Sequence, residues 1–183
     1  AFAILGNLIC FIATRLIKNE LGKNCSISLA HLQLANLCMG IHISVAVVAD
    51  DLFEGQYFQH EKTWTKSAIC KISGFLSLLS SEVSVLIIWL LVLDHVILFC
   101  DLESPLSCTK SSTTAVCTVI WFVGMFLSVI PFLPGLSHWG LYGQSGLCRL
   151  ALFDRFVYNQ KFRWFTVTVV VNFILSLMIV AGQ

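Results

Sequence analysis

Five long apolar runs, Ala1–Leu16, Ile27–Ala49, Ile69–Cys100, Thr113–Leu133 and Phe165–Ala181, alternate with short polar segments along the 183 residues. A helix crossing the hydrocarbon core needs about 20 apolar residues, and the three inner runs meet that length. Only 11% of residues are charged and 57% are hydrophobic, whereas a soluble domain carries about a quarter charged. With a mean hydropathy of +0.87, most of the surface has to face lipid. The chain therefore reads as an all-α membrane protein, with spans expected at about 1–17, 26–49, 67–100, 113–133 and 163–183. The opening AFAILGNLICFIATRLIK has no basic start and no small-residue cleavage site, so it reads as spanning helix rather than signal peptide. Because the first and last runs meet the chain ends, the expectation is a piece of a longer bundle.

A formal net charge of +1 and a pI near 7.8 exclude a nucleic-acid partner, which would require a basic face. The eight cysteines sort by position. Cys10, Cys38 and Cys117 lie within apolar runs, where cysteine packs as a small hydrophobe. Cys25, Cys100 and Cys108 lie at one set of span ends, and Cys70 and Cys148 at the other. None of the spacings matches a zinc site, so no metal and no cofactor is expected.

Crossing parity places the loops. Cys70 and Asp94 are 24 residues apart (94 − 70) on the third span, about 36 Å at 1.5 Å per residue. That exceeds the roughly 30 Å core, so the two sit at opposite faces. The fourth span brings the chain back, leaving Cys148 on the face of Cys70 and free to pair with it. If the two are bonded, that face is extracellular or luminal. Charge favours the reverse: Lys62, Lys66, Lys71, Arg149, Arg155, Lys161 and Arg163 lie on that face, and Arg15, Lys18, Lys23 and Lys110 on the other. The cysteine argument is given the greater weight. Between the spans, Lys18–Asn24 reads as a tight connection, Asp50–Lys66 as a polar loop, Pro105 as a turn, and Pro131 and Pro134 as the end of the fourth span before a loop over Gly135–Asn159.

Polar side chains inside a span are costly, and their default reading is function or interhelical bonding. Asn7, Asn36, Glu82 and Asn172 are such residues; Ser77, Ser80, Ser81 and Ser84 surround Glu82, and Asp94–His95 lies at the foot of the third span. The bland reading makes the asparagines bundle-holding hydrogen bonders and Glu82 a neutral or hydrogen-bonded structural carboxyl. Trp89, Trp121 and Trp139 read as packing and interface residues.

Taken in order, these features resemble a known family. Gly6–Asn7 in the first span, Leu34–Ala35–Asn36–Leu37 in the second, Cys70 opening the third, Asp94–His95 closing it, Trp121 in the fourth and Cys148 in the next loop resemble rhodopsin-like G-protein-coupled receptors. NLCMG at 36–40, Gly55–Gln56–Tyr57 followed by Trp64, and SSEVSVL at 80–86 are similar to the leucine-rich-repeat hormone receptors. IPF at 130–132 with YGQSGLC at 142–148 is most similar to their relaxin-receptor branch.

The resemblance implies a seven-helix bundle, of which five helices are present here, in the plasma membrane. It implies a Cys70–Cys148 disulfide, Asp94 and His95 as a degenerate G-protein coupling motif, and Asn7, Asn36, Glu82 and Asn172 as an intramembrane polar switch. The implied partners are lipid, a heterotrimeric G protein, a relaxin-like peptide hormone captured by a leucine-rich outer domain, and a second receptor in a dimer. Two positions depart from the family pattern. Asn36 stands where an Asp is usual, and His95 stands where Arg or Lys is usual; a histidine is largely neutral at pH 7. Weakened coupling is therefore expected.

The leading function is hormone-receptor signalling by a shift between helix packings. The alternative is a truncated or degenerate receptor that inserts without coupling. A membrane transporter or enzyme is the remote third reading. Glu82 and Asp94 are 12 residues apart (94 − 82), roughly 18 Å along a helix, with no nucleophile or metal set between them. No enzyme is expected. Asn24–Cys25–Ser26 is an N-x-Ser sequon on the face opposite Cys70.

Overall fold

The computed structural model describes residues 2–17, 23–53, 57–99, 110–133 and Cys148, and every secondary-structure element among them is helical. The elements are α1 (Phe2–Leu16), α2 (Lys23–Phe53), α3 (Tyr57–Lys66), α4 (Ala68–Phe99) and α5 (Lys110–Val129), the last running into a 3-10 turn over Ile130–Phe132. Among the described residues three segments are long and apolar enough to cross a membrane: Asn24–Phe53, Ala68–Val96 and Ser112–Phe132. The fifth expected span at 163–183, with Asn172 in it, lies outside the described residues.

Local chemistry explains several of the boundaries. Ser67 caps α4: its hydroxyl accepts the Cys70 amide at 3.1 Å, the N-cap to N3 bond that satisfies a free donor of the first turn. Cys70 thus sits inside the first turn of a capped helix. At the far end of α5, Pro131 has no amide hydrogen to continue the ladder, and the chain tightens into the 3-10 turn closed by Leu133 N–H to Ile130 O at 3.1 Å.

The structure corrects the expectation of a polar loop over Asp50–Lys66. Helix α2 continues through Asp50 and Asp51 to Phe53, and Tyr57–Lys66 is itself helical. Its inner side is aromatic: Phe53 stacks on His60 with centroids 5.3 Å apart and meets Trp64 edge-on at 5.8 Å. The stretch is polar because it leaves the membrane, not because it is irregular. Gln, Glu and Lys are all good helix formers.

Helix α4 is central. Its largest contact is with α2, followed by α1 on α2 and α5 on α4, with a smaller contact of α5 on α2. Ala35, Leu79, Val83, Ile87, Leu90, Cys117 and Ile120 form the buried core between α2, α4 and α5. Lipid provides no hydrophobic drive between helices, so close approach through small residues matters. A methyl on Gly124 would stand 2.6 Å from Val83 Cγ2, and one on Gly40 would stand 2.9 Å from Ile4 Cγ1. The outward side of α5 is apolar and bare, with Phe122 71% and Phe126 69% exposed, as a lipid-facing side should be.

Candidate functional site

Helix α2 carries a series of polar side chains that reach α1, α4 and α5. At one end, the Ser26 hydroxyl donates to Thr14 O of α1 at 3.2 Å. Next, Trp121 of α5 donates its indole N–H to His31 Nδ1 at 3.2 Å. Then Ser84 of α4 donates to Asn36 Oδ1 at 3.3 Å. Towards the other end, His42 Nδ1 lies 3.0 Å from Ser73 O and 2.8 Å from Ser73 Oγ on α4. His42 is 3% exposed and Ser73 2%.

The partners fix the tautomers. A carbonyl oxygen only accepts, so His42 Nδ1 carries the hydrogen it gives to Ser73. An indole N–H only donates, so His31 Nδ1 is the lone-pair nitrogen and its hydrogen is on Nε2. One helix thus holds two histidines in opposite tautomers, each set by the helix it faces.

Beyond the outermost of these contacts, Cys70 is bonded to Cys148, with Cα atoms 5.2 Å apart across 78 residues of sequence. Both cysteines are fully buried. Cys70 and Ser73 are one turn apart on α4, so the disulfide and the His42 contact hold the same end of that helix. Cys148 takes a positive φ of 53°, an uncommon region for a residue with a side chain.

The residues singled out from sequence do not converge on one point. Asn7 turns back on its own helix, giving Nδ2–H to Ala3 O at 2.7 Å. Asn36 meets Ser84 across the α2–α4 interface. Glu82 is 2% exposed on α4. At the opposite end of α4, exposed His95 donates Nδ1–H to Leu91 O at 2.9 Å, lying back along its own helix. Among the described residues no group of His, Cys, Asp and Glu could hold a metal ion.

Sequence reasoning passed over His31, His42 and Ser73. The signal was present: two histidines inside an apolar span carry the same cost that drew attention to Asn36. Their partners were not legible, since Trp121 is 90 residues from His31 and Ser73 is 31 from His42.

No protein-family model matches the chain. Curated relatives do. G-protein coupled receptor GRL101 of Lymnaea stagnalis is 34% identical over 131 residues, 69% of this chain and 11% of that protein. Relaxin receptor 2 of Homo sapiens is 30% identical over 150 residues, 82% of this chain and 20% of the receptor. Relaxin receptor 1 of Homo sapiens is 31% identical over 151 residues, 81% and 19% respectively. The chain belongs to the leucine-rich-repeat-containing group of G-protein-coupled receptors. It spans a fifth or less of the length of these relatives. Membership makes it a multi-pass protein of the plasma membrane, in agreement with the three described segments long and apolar enough to cross one. Its relatives in this receptor group are signalling proteins rather than enzymes.

Proposed function

We propose that this chain is the transmembrane signalling portion of a receptor for a relaxin-like peptide hormone. The observation that carries the reading is the match to both human relaxin receptors across four fifths of the chain. A leucine-rich outer domain captures the hormone, and the face holding Cys70 and Cys148 receives it. The opposite face, with Asp94 and His95, meets a heterotrimeric G protein. No bond is made or broken; the helices pass between two packings, and a ligand that favours one shifts the population. Asn7, Asn36, Glu82 and Asn172 serve as the intramembrane polar residues of that change. The test is to express the full-length transcript and apply relaxin-type peptides while reading second-messenger output. Saturable, dose-dependent output supports the assignment, and silence from a receptor displayed at the cell surface defeats it.

A second reading is favoured by His95. The side chain at the family's cationic position lies back on Leu91 O and has no guanidinium to extend into a G-protein cavity. In that reading the protein inserts, reaches the surface and binds hormone without coupling. Hormone binding together with a flat second-messenger response identifies it.

A further inference from the structure

Two polar contacts pin the same pair of helices. Going from His42 to Asn36 descends α2, while going from Ser73 to Ser84 ascends α4, so the helices are antiparallel. Ala35, Leu79 and Val83 pack at the interface that these contacts frame. Apolar packing in lipid tolerates sliding, since one aliphatic contact is readily exchanged for another. A buried donor–acceptor contact does not, because leaving its partners unpaired in a low-dielectric interior is costly. The His42 contact is the tighter of the two, with Ser73 O at 3.0 Å and Ser73 Oγ at 2.8 Å, against 3.3 Å for Ser84 and Asn36. It also stands one turn from Cys70, to which Cys148 is covalently attached.

We propose that His42 is a positioning residue that locks the disulfide-bearing end of α4 to α2, so that a displacement of Cys148 is carried to α2 through the His42–Ser73 contact. Cys70 lies within the capped first turn of α4, so a pull on Cys148 moves helix rather than loop. Ser73 moves with Cys70 as part of the same turn, and His42 then draws α2 along or lets go. The Asn36–Ser84 contact deeper in the same interface registers the outcome. The signalling consequence rests on the receptor function proposed above; the structural lock does not.

The test uses the full-length receptor in membranes or detergent, with His42→Ala removing the contact and His42→Asn keeping a side-chain donor towards Ser73 O. Hydrogen–deuterium exchange is read over the first turns of α4, residues 68–77. Exchange several-fold faster in His42→Ala, and restored in His42→Asn, supports the lock; equal exchange in wild type and His42→Ala overturns it. Should His42→Ala fail to reach the surface, His42→Leu, which fills the space without a donor, replaces it under the same criteria. Basal second-messenger output per surface receptor is read in parallel. A several-fold change in His42→Ala that His42→Asn reverses supports transmission. An unchanged output from a hormone-responsive receptor overturns transmission even where exchange has risen. If wild type is silent to every peptide, the receptor reading fails and the exchange result still decides the lock.

Discussion

Trp121 and His31 join α5 to α2 through one indole hydrogen bond of 3.2 Å beside the bundle core. Trp121→Phe keeps most of the ring and removes the donor, leaving His31 Nδ1 without it. Interhelical hydrogen bonds in membranes contribute about 0.6 kcal/mol on average and about 1.7 at most. A coupling energy in that range is expected from a thermal-unfolding cycle of Trp121→Phe, His31→Leu and the double variant in the detergent-solubilised receptor. A coupling of zero would mean that ring packing alone holds α5 at this point.

The Cys70–Cys148 bond closes 78 residues of chain. A chain-entropy estimate for a loop of that size is about 4–5 kcal/mol, but the two intervening membrane crossings already restrict the unfolded chain. Cys70→Ser is therefore expected to lower stability by about 2–4 kcal/mol, the usual range for a disulfide. Surface delivery measured by flow cytometry should fall sharply, and Cys148→Ser should fall equally. The double variant should be no worse than either single one. Unequal single variants would point to a role for one cysteine outside the bond.

Gly124 permits α5 to approach α4. A methyl there meets Val83 Cγ2 at 2.6 Å and Leu79 Cδ1 at 3.3 Å. Gly124→Ala gains up to about 1 kcal/mol of helix propensity but incurs about 1–3 kcal/mol of overpacking. Net destabilisation is expected, and Val83→Ala in the same chain should recover part of it because the obstructing atom is a side-chain methyl. Gly6→Ala is the control: among the described residues a methyl there meets nothing within 4 Å outside its own helical turn, so its midpoint should hold or rise.

Asn24 belongs to an N-x-Ser sequon at the end of α2 remote from the disulfide. With Cys70 and Cys148 outside, Asn24 faces the cytoplasm, beyond the glycosylation machinery. Glycosidase treatment of receptor from cells should produce no mobility change attributable to Asn24, tested against Asn24→Gln. A glycan at Asn24 would require the inverted orientation that the lysine and arginine distribution favours.

His95 donates to Leu91 O on its own helix. In the full-length receptor, His95→Arg places a permanent cation and a longer reach at the foot of α4. Hormone-driven G-protein activation, read by nucleotide exchange in membranes, is expected to rise several-fold. No gain in a well-expressed receptor would move attention to Asn36, with Asn36→Asp as the next substitution.

The bundle was legible because the bilayer sets a length that composition must meet, and the apolar runs around Ile27–Ala49 and Ile69–Cys100 met it. The shared face of Cys70 and Cys148 followed from crossing parity, which needs no knowledge of packing. The helix at Tyr57–Lys66 was not legible, because its stability comes from Phe53, His60 and Trp64 meeting in space rather than from a pattern along the chain. The same reason hid the histidine contacts. Asn36 was singled out because polarity in a span is visible, but its partner Ser84 depends on how two helices cross.

Helix α1 precedes α2 in synthesis, and its one buried side chain among the described residues, Thr14, lies where the Ser26 hydroxyl of α2 reaches the Thr14 carbonyl. Among the described residues its substantial contact is with α2. Helix α1 must therefore reside in lipid without this contact until α2 has been inserted. Ser26→Ala removes the hydroxyl that joins the two helices while leaving α1 itself intact, so its effect should fall on retention in the endoplasmic reticulum before it falls on signalling.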